Sequence, residues 1–397
     1  MKKAFLVPFL GFILIALSFS PTIYEAFQVG RLPPDRVLVW GEHNYTYDYN
    51  VYLSKIRQGM EGRWQVIDKY TTGENKPVFL QMLYLLSGKI GGIFGLTPPL
   101  VYQILRLVLS FGFVLSIYYL ISFFLKGSKE RLVAFILALF SGSFPQIGFY
   151  QGKIYFGQFF SWWQEMDVLK RATYVPHYLL GHILMILIIV WGIGEIKEIR
   201  EIKEIREIGE NKKRSKGWGR WLGICALGFL AGFVHPPSLI VSYGILGLLI
   251  GYRLAKKVAS GWCRALWSAC RFGESSNASV PAPRTRIGAG LGIRPDVPSG
   301  SSEDVASRQA SPRHFPTGYP FTVSLFSVIP AQELFRFICY VLVSAIPLVY
   351  IQWATATYPW KSLVDFDQSV HWAWSVRDYL LSLGLTLPLG ILGGLGK

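Results

Sequence analysis

Apolar residues run in long uninterrupted blocks along this chain instead of recurring at one position in three or four. Eight blocks approach the ~20 residues that a helix needs to cross the hydrocarbon core. They are residues 4–24, 98–125, 132–150, 176–194, 219–235, 237–252, 334–354 and 378–396. In lipid every backbone amide must bond within its own segment, so blocks of this kind are helices. The period-two alternation of a barrel strand is absent from them. The pattern predicts an all-α, polytopic membrane helix bundle of about eight transmembrane helices. The first block follows Lys2 and Lys3, and Ala16–Leu17–Ser18 is a weak cleavage site, so the block reads as an uncleaved helix.

Residues 77–96 are nearly long enough to be a ninth span. Lys89 with Gly88, Gly91 and Gly92 weakens that reading. A span there would also turn the basic loops at 195–220 and 252–271 outward, against the rule that cytoplasmic flanks carry the Lys and Arg. A helix lying in the interface is the expectation. Residues 28–97 then form one long outer loop with two interfacial helices, at 49–60 and 77–94. Residues 151–175, the Pro236–Pro237 turn and 355–377 face the same side.

Composition agrees: 51% of the 397 residues are hydrophobic and 16% are charged, where a soluble domain averages about 25% charged. The formal charge of +16 invites a nucleic-acid partner, which is rejected because topology explains the excess. Lys126, Lys129 and Arg131, then Lys197 to Arg220, then Arg253 to Arg271 fall in alternate loops. These loops are expected inside, which makes the protein a multi-pass cell-membrane protein with a cytoplasmic N-terminus. Of four cysteines, Cys225 and Cys339 lie in spans, and Cys263 and Cys270 lie six apart in an inner loop. They suggest neither a metal pattern nor a disulfide.

Three regions follow: 1–254 with the outer loop, a disordered cytoplasmic insert over 255–320, and a C-terminal membrane region over 321–397. Residues 195–208 repeat Glu-Ile-Lys/Arg with isoleucines every third position. Such a repeat drifts around a helix without an apolar stripe and reads as a solvated charged helix. Residues 273–318, rich in Ser, Pro, Gly and Arg, cannot build a core and read as a linker. A basic tract of this kind also suits anionic lipid.

The chemistry-bearing residues cluster in the outer loops. Asp48 heads the segment DYNVYLSKI, where the dipole favours a carboxylate and an N-cap is the plain reading. Glu74–Asn75–Lys76–Pro77 follows, and Arg106 lies inside a span. An ionisable residue there is a functional candidate, though its stem can also reach the headgroups. Glu165 and Asp167 stand beside Trp162 and Trp163, a pairing that suits sugar and equally an interfacial aromatic belt. Lys170 and Arg171 suit phosphate or headgroups. His177 and His182 are about 140° apart on a helix and do not share a metal. Asp365, Asp367 and His371 are accessory candidates, and His235 before Pro236–Pro237 reads as a turn cap.

Taken together, Asp48, Tyr52, Gly62, Trp64, Glu74, Lys76, Pro77, Tyr84, Gly88 and Arg106 resemble the GT-C membrane glycosyltransferases. The likeness is to the protein mannosyltransferase and aminoarabinose transferase branch and covers about residues 1–125. It implies transfer of a sugar from a polyprenyl-phosphate-linked donor to an acceptor on the extracytoplasmic face. It would make Asp48 the catalytic base, with Lys76, Arg106 and Arg171 on the donor phosphate. A divalent metal, if used, would draw on Glu74, Glu165, Asp167 and His177. Here Glu-Asn-Lys-Pro stands where the family often has Glu-Lys-Pro, which bears on Glu74. Family members usually continue with further spans, so a truncated or short form is expected. The competing readings are a lipid or glycan transporter, whose internal repeat is not seen, and a non-catalytic membrane protein.

Overall fold

The structure, a computed structural model, describes residues 3–35, 40–41, 48–142, 145–158, 167–207, 217–274 and 331–362, together with 365, 380 and 388. The chain divides into two compact units, one made of Met1–Ile250 and Gln332–Lys397, the other of Gly251–Ala331. Among the described residues, five helices are long and apolar enough to cross a membrane: Leu6–Gln28, Pro98–Phe124, Pro176–Ile196, Pro236–Ser260 and Glu333–Ala354. They belong to α1 (Lys3–Gln28), α4 (Pro98–Phe124), α7 (Pro176–Glu207), α9 (Pro236–Glu274) and α10 (Ala331–Ala354).

The outer-loop helices form where the pattern puts them. They are α2 (Tyr49–Met60) and α3 (Met82–Ile93). At 12 residues α3 is about 18 Å long at 1.5 Å per residue, well short of the ~30 Å hydrocarbon core. The two helices cross at very close range. A Cβ on Gly59 would lie 2.0 Å from the Leu85 carbonyl oxygen, and one on Gly88 would lie 1.9 Å from that of Ile56. Two bare backbones therefore make the contact, and Ile56, Leu85, Tyr52 and Tyr84 are buried around it. Each contributes about 1.5–3 kcal/mol of apolar burial.

The block at 132–150 differs from expectation. Helix α5 (Ser128–Phe140) has 13 residues and stops. The chain then makes an antiparallel hairpin of β1 (Pro145–Tyr150) and β2 (Lys153–Gln158), with Ile147 opposite Phe156 and Phe149 opposite Ile154. Gln151 and Gly152 both have positive φ, 50° and 73°. That is the backbone of a two-residue turn whose twist matches its strands. Helical continuity fails at Ser141–Gly142, and Pro145 lacks the amide a helix interior needs. The apolar run is thus divided between two periods, and the described residues are helical with one hairpin.

The block at 219–235 forms α8 (Gly217–Val234), whose apolar part is shorter than the five spans. The block at 378–396 lies outside the described residues apart from positions 380 and 388. The charged repeat continues α7 through Glu207. Helix α9 likewise runs on through Glu274, so residues 255–274 are helical, where an irregular insert was expected to begin at 255.

Helix α7 is the central one: 56% of its most apolar stretch is buried, against 22% for α4 and α10. Its first half packs with α1, α4 and α5 through Leu14, Phe113, Ile117, Phe135, Leu179 and Ile186. Its other side packs with α8, α9 and α10 through Leu184, Ile188, Ile224, Leu246 and Tyr340. Within that half, Glu195 of α7 accepts from Arg220 of α8 at 2.8 Å and from Arg336 of α10 at 3.5 Å. Large apolar side chains such as Val108, Leu115, Leu248, Leu342 and Val349 are left on the outside. That is the surface a bilayer, and not water, can solvate.

Candidate active site

One end of the bundle gathers the N-termini of α4, α7 and α9 and the C-termini of α1 and α10, with α2 and α3 laid across it. The links are specific. Trp40 donates its indole N–H to the Thr22 carbonyl of α1 at 2.8 Å. Tyr49 of α2 meets Tyr102 of α4 edge-on at 4.9 Å, and Tyr84 of α3 hydrogen-bonds His177 Nδ1 of α7 at 2.8 Å. His177 lies 6.1 Å from His235 at the start of α9. The Tyr350 hydroxyl of α10 accepts from the Phe79 amide of the outer loop at 2.8 Å.

The middle of this assembly is aromatic. Tyr52 stacks on Tyr84 at 4.5 Å, and Tyr102 lies parallel to both at 6.3 and 6.1 Å. All three are buried. Helical spacing alone brings Tyr49, Tyr52 and Ile56 to one face of α2.

Asp48 stands at the head of α2. Its carbonyl accepts the first helical amide, from Tyr52, at 3.0 Å. Its carboxylate makes no capping bond to the backbone and instead accepts from the Tyr52 hydroxyl at 3.4 Å. The side chain is half-buried. The plain N-cap reading therefore does not describe it, and the carboxylate keeps lone pairs for another donor.

Two turns along the same face is Lys55, 5% exposed. Its Nζ donates to Gln81 Oε1 and lies 5.9 Å from the centre of the Trp360 ring. Burial lowers the Lys55 pKa to about 8, against the pull of Asp48 and Asp68, which favour the charged form. Asp68 is set there by the Gln58 side chain of α2, which clamps the Ile67 amide and carbonyl at 2.9 and 3.0 Å. A single ladder contact, Val66 against Val78, closes the excursion. Lys55, Gln81 and Trp360 were not singled out from the sequence. The signal was present for one of them: Asp48, Tyr52 and Lys55 are spaced by four and three, so a cation falls on the buried face of an amphipathic helix.

The other candidates are placed as follows. Arg106 lies eight residues into α4, about 12 Å along the axis. It is 1% exposed. Its Nε donates to the Thr173 carbonyl at 2.5 Å, and Nη1 donates to Gln103 Oε1 at 3.0 Å and Thr22 Oγ1 at 3.4 Å. Its guanidinium also covers Phe19 at 4.3 Å. Arg106 thus ties α1 and α4 to the segment before α7. Arg171 donates to the Ala138 and Ser141 carbonyls at 2.9 and 2.6 Å. It closes the C-terminus of α5, where free carbonyls and the dipole favour a cation. Asp167 accepts from the Leu169 and Lys170 amides at 2.8 and 3.2 Å and caps α6 (Val168–Arg171).

Glu74 and Lys76 are exposed on the 61–80 excursion, flanking Asn75, whose side chain donates to the Asp68 carbonyl. Gly62 takes φ +88° and Trp64 lies under Lys89 at 4.1 Å. His235 Nδ1 hydrogen-bonds Ser238 Oγ at 2.7 Å across the turn. Asp365 is exposed, and Trp162, Trp163, Glu165, Asp367 and His371 lie outside the described residues. Among the described residues no three His, Cys, Asp or Glu side chains are arranged to hold a metal ion. Of the four expected donors, Glu74 is in solvent, Asp167 is committed to α6 and His177 to Tyr84. The described donors do not form a set that fits a metal.

Comparison with family models, with curated proteins and with solved structures gives no match to this chain.

Proposed function

We propose that the protein is a membrane glycosyltransferase that takes a sugar from a polyprenyl-phosphate donor at the extracytoplasmic surface, with Asp48 as the base. The observation that carries this reading is Asp48 itself. It is a half-buried carboxylate, free of a capping role, in an aromatic and cationic recess at the end of a bundle of membrane-length helices. The Asp48 carboxylate removes the proton from an acceptor hydroxyl, whose oxygen attacks the sugar's anomeric carbon. The bond from that carbon to the phosphate oxygen breaks, and the electron pair leaves with the lipid phosphate. A cation beside that oxygen stabilises the departing charge. Lys76 is the exposed one of the three expected cations, Lys76, Arg106 and Arg171. Arg106 serves the same end indirectly, by holding α1, α4 and the segment before α7 together. Tyr52, Tyr84 and Tyr102 supply the apolar wall that keeps water from competing as acceptor. The helix N-termini at this end also favour an anionic group.

The test is transfer of a labelled sugar from its polyprenyl-phosphate carrier in reconstituted membranes. Asp48→Asn should cut the rate by about 10²–10⁴-fold, the usual contribution of a general base. Turnover within a factor of two of the parent would remove Asp48 from the chemistry. Uptake of labelled donor into sealed vesicles without transfer would replace the enzyme by a transporter.

A further inference from the structure

Two buried donor groups at this end of the molecule are not fully matched by acceptors among the described residues. An ammonium group has three N–H donors. Lys55 is 5% exposed, and the one hydrogen bond it makes is to Gln81 Oε1. Trp360, 3% exposed, lies beside it in the turn after α10, packed on Val66, Val78, Leu85 and Ala354. Its indole Nε1–H has no hydrogen-bond partner among the described residues. Buried donors are nearly always matched, so a pair left open side by side marks a place where an acceptor belongs. Two N–H positions on an ammonium and one on an indole ask for oxygen atoms that carry negative charge. A sugar hydroxyl would bring a donor of its own into a recess already over-supplied with them.

We propose that Lys55 and Trp360 form a phosphate subsite, in which a phosphate oxygen of the ligand takes the open donors of Nζ and Nε1. The assignment deepens the glycosyltransferase reading, since this phosphate would be the carrier's, and places a contact where the family resemblance names none. Gln81 Oε1 holds one Lys55 donor, and a phosphate oxygen replaces it at little cost because the Gln81 side chain is only half-buried. The groups facing Lys55 are Asp48 at the head of its own helix, Asp68 from the excursion, and His177 of α7. The two carboxylates oppose a second anion, so direct contact with Nζ and Nε1 must carry the affinity. Lys55 is mostly protonated at neutral pH, since its pKa is lowered only to about 8.

Binding is measured with the parent and its variants in nanodiscs of neutral lipid, using a labelled polyprenyl phosphate without sugar. Charge-assisted hydrogen bonds of this kind are worth roughly tenfold or more in affinity. Lys55→Met should therefore weaken binding by about that factor, and Trp360→Phe by roughly a third to all of it. Lys89→Met, at a surface lysine engaged with Trp64, should leave it unchanged. Because Lys55→Met removes a buried charge, its melting temperature should equal or exceed the parent's. Parent-like affinity in a well-folded Lys55→Met protein overturns the proposal.

A second readout needs no substitution. Only the protonated Lys55 donates to phosphate. The parent's affinity should therefore fall as pH rises through about 8, and that fall should vanish in Lys55→Arg. A flat profile in the parent also overturns the subsite. Competition by inorganic phosphate would mean the subsite reads the phosphate alone, and its absence would mean that the lipid carrier is required. Since no sugar is transferred in this assay, loss of the glycosyltransferase reading would leave the binding result standing, and the reverse.

Discussion

Arg106 and Lys55 are both buried cations, and they differ in how far the protein satisfies them. Arg106 directs its planar fork to Thr173, Gln103 and Thr22. Lys55 has a single hydrogen-bond acceptor, Gln81. A cation whose donors are filled by the protein holds a structure, while one left open can hold a ligand. Arg106→Lys keeps the charge and loses the fork, leaving buried acceptors short of donors. The expected cost is roughly 2–4 kcal/mol, read as a lowered melting temperature in detergent, with polyprenyl phosphate binding by the folded fraction unchanged. Loss of binding at full stability would instead make Arg106 a ligand contact. The in-span arginine was legible in the sequence, but its partners were not, because Thr173 lies 67 residues further along the chain. Asp48 was legible as the head of a helix. That its carboxylate would not cap the helix was not, since capping is settled by the local rotamer and not by residue type.

At the scale of elements, the sequence shows helices through their period and shows little of their crossings. The boundaries of α2 follow directly from Asp48 and the spacing of Tyr49, Tyr52 and Ile56. The close approach of α2 and α3 depends on Gly59 and Gly88; Gly88 was read from sequence as weakening a span and as part of the family resemblance, and Gly59 was not singled out. The hairpin after α5 was hidden for another reason. Ile147, Phe149, Ile154 and Phe156 are apolar enough to extend a hydrophobic block, and window hydropathy is blind to a change of period. A methyl at Gly88 would meet the Ile56 backbone at 1.9 Å, which no side-chain rotation can relieve. Gly88→Ala should therefore separate the two helices at a cost of about 1–3 kcal/mol. Because this crossing sets Lys55 and Tyr52 against Gln81 and Tyr84, ligand affinity should fall along with thermal stability. Leu86, exposed two residues away and about 200° around α3, is the control: Leu86→Ala should change neither.

For the molecule as a whole, the sidedness of the candidate site follows from charge and helix direction together. Asp48, Lys55 and His177 gather at the end where α4, α7 and α9 begin. The basic residues Arg253 and Lys256 lie further along α9, away from that end of the helix. The positive-inside rule then predicts the α2–α3 end outside and the α9 extension in the cytoplasm, which labelling tests. Cys263 is an exposed thiol on that extension, and Trp64 is exposed on the excursion between α2 and α3. In a protein that keeps Cys263 as its one cysteine, a membrane-impermeant maleimide should label sealed cells only after they are opened. With Cys263 replaced and Trp64→Cys introduced, labelling should occur in intact cells. Labelling of both from the same side would require an odd number of crossings to be added or lost between positions 64 and 263. If Trp64→Cys labels only after the cells are opened, Asp48 lies on the face where nucleotide-activated sugars are plentiful, and the polyprenyl-phosphate donor loses its rationale.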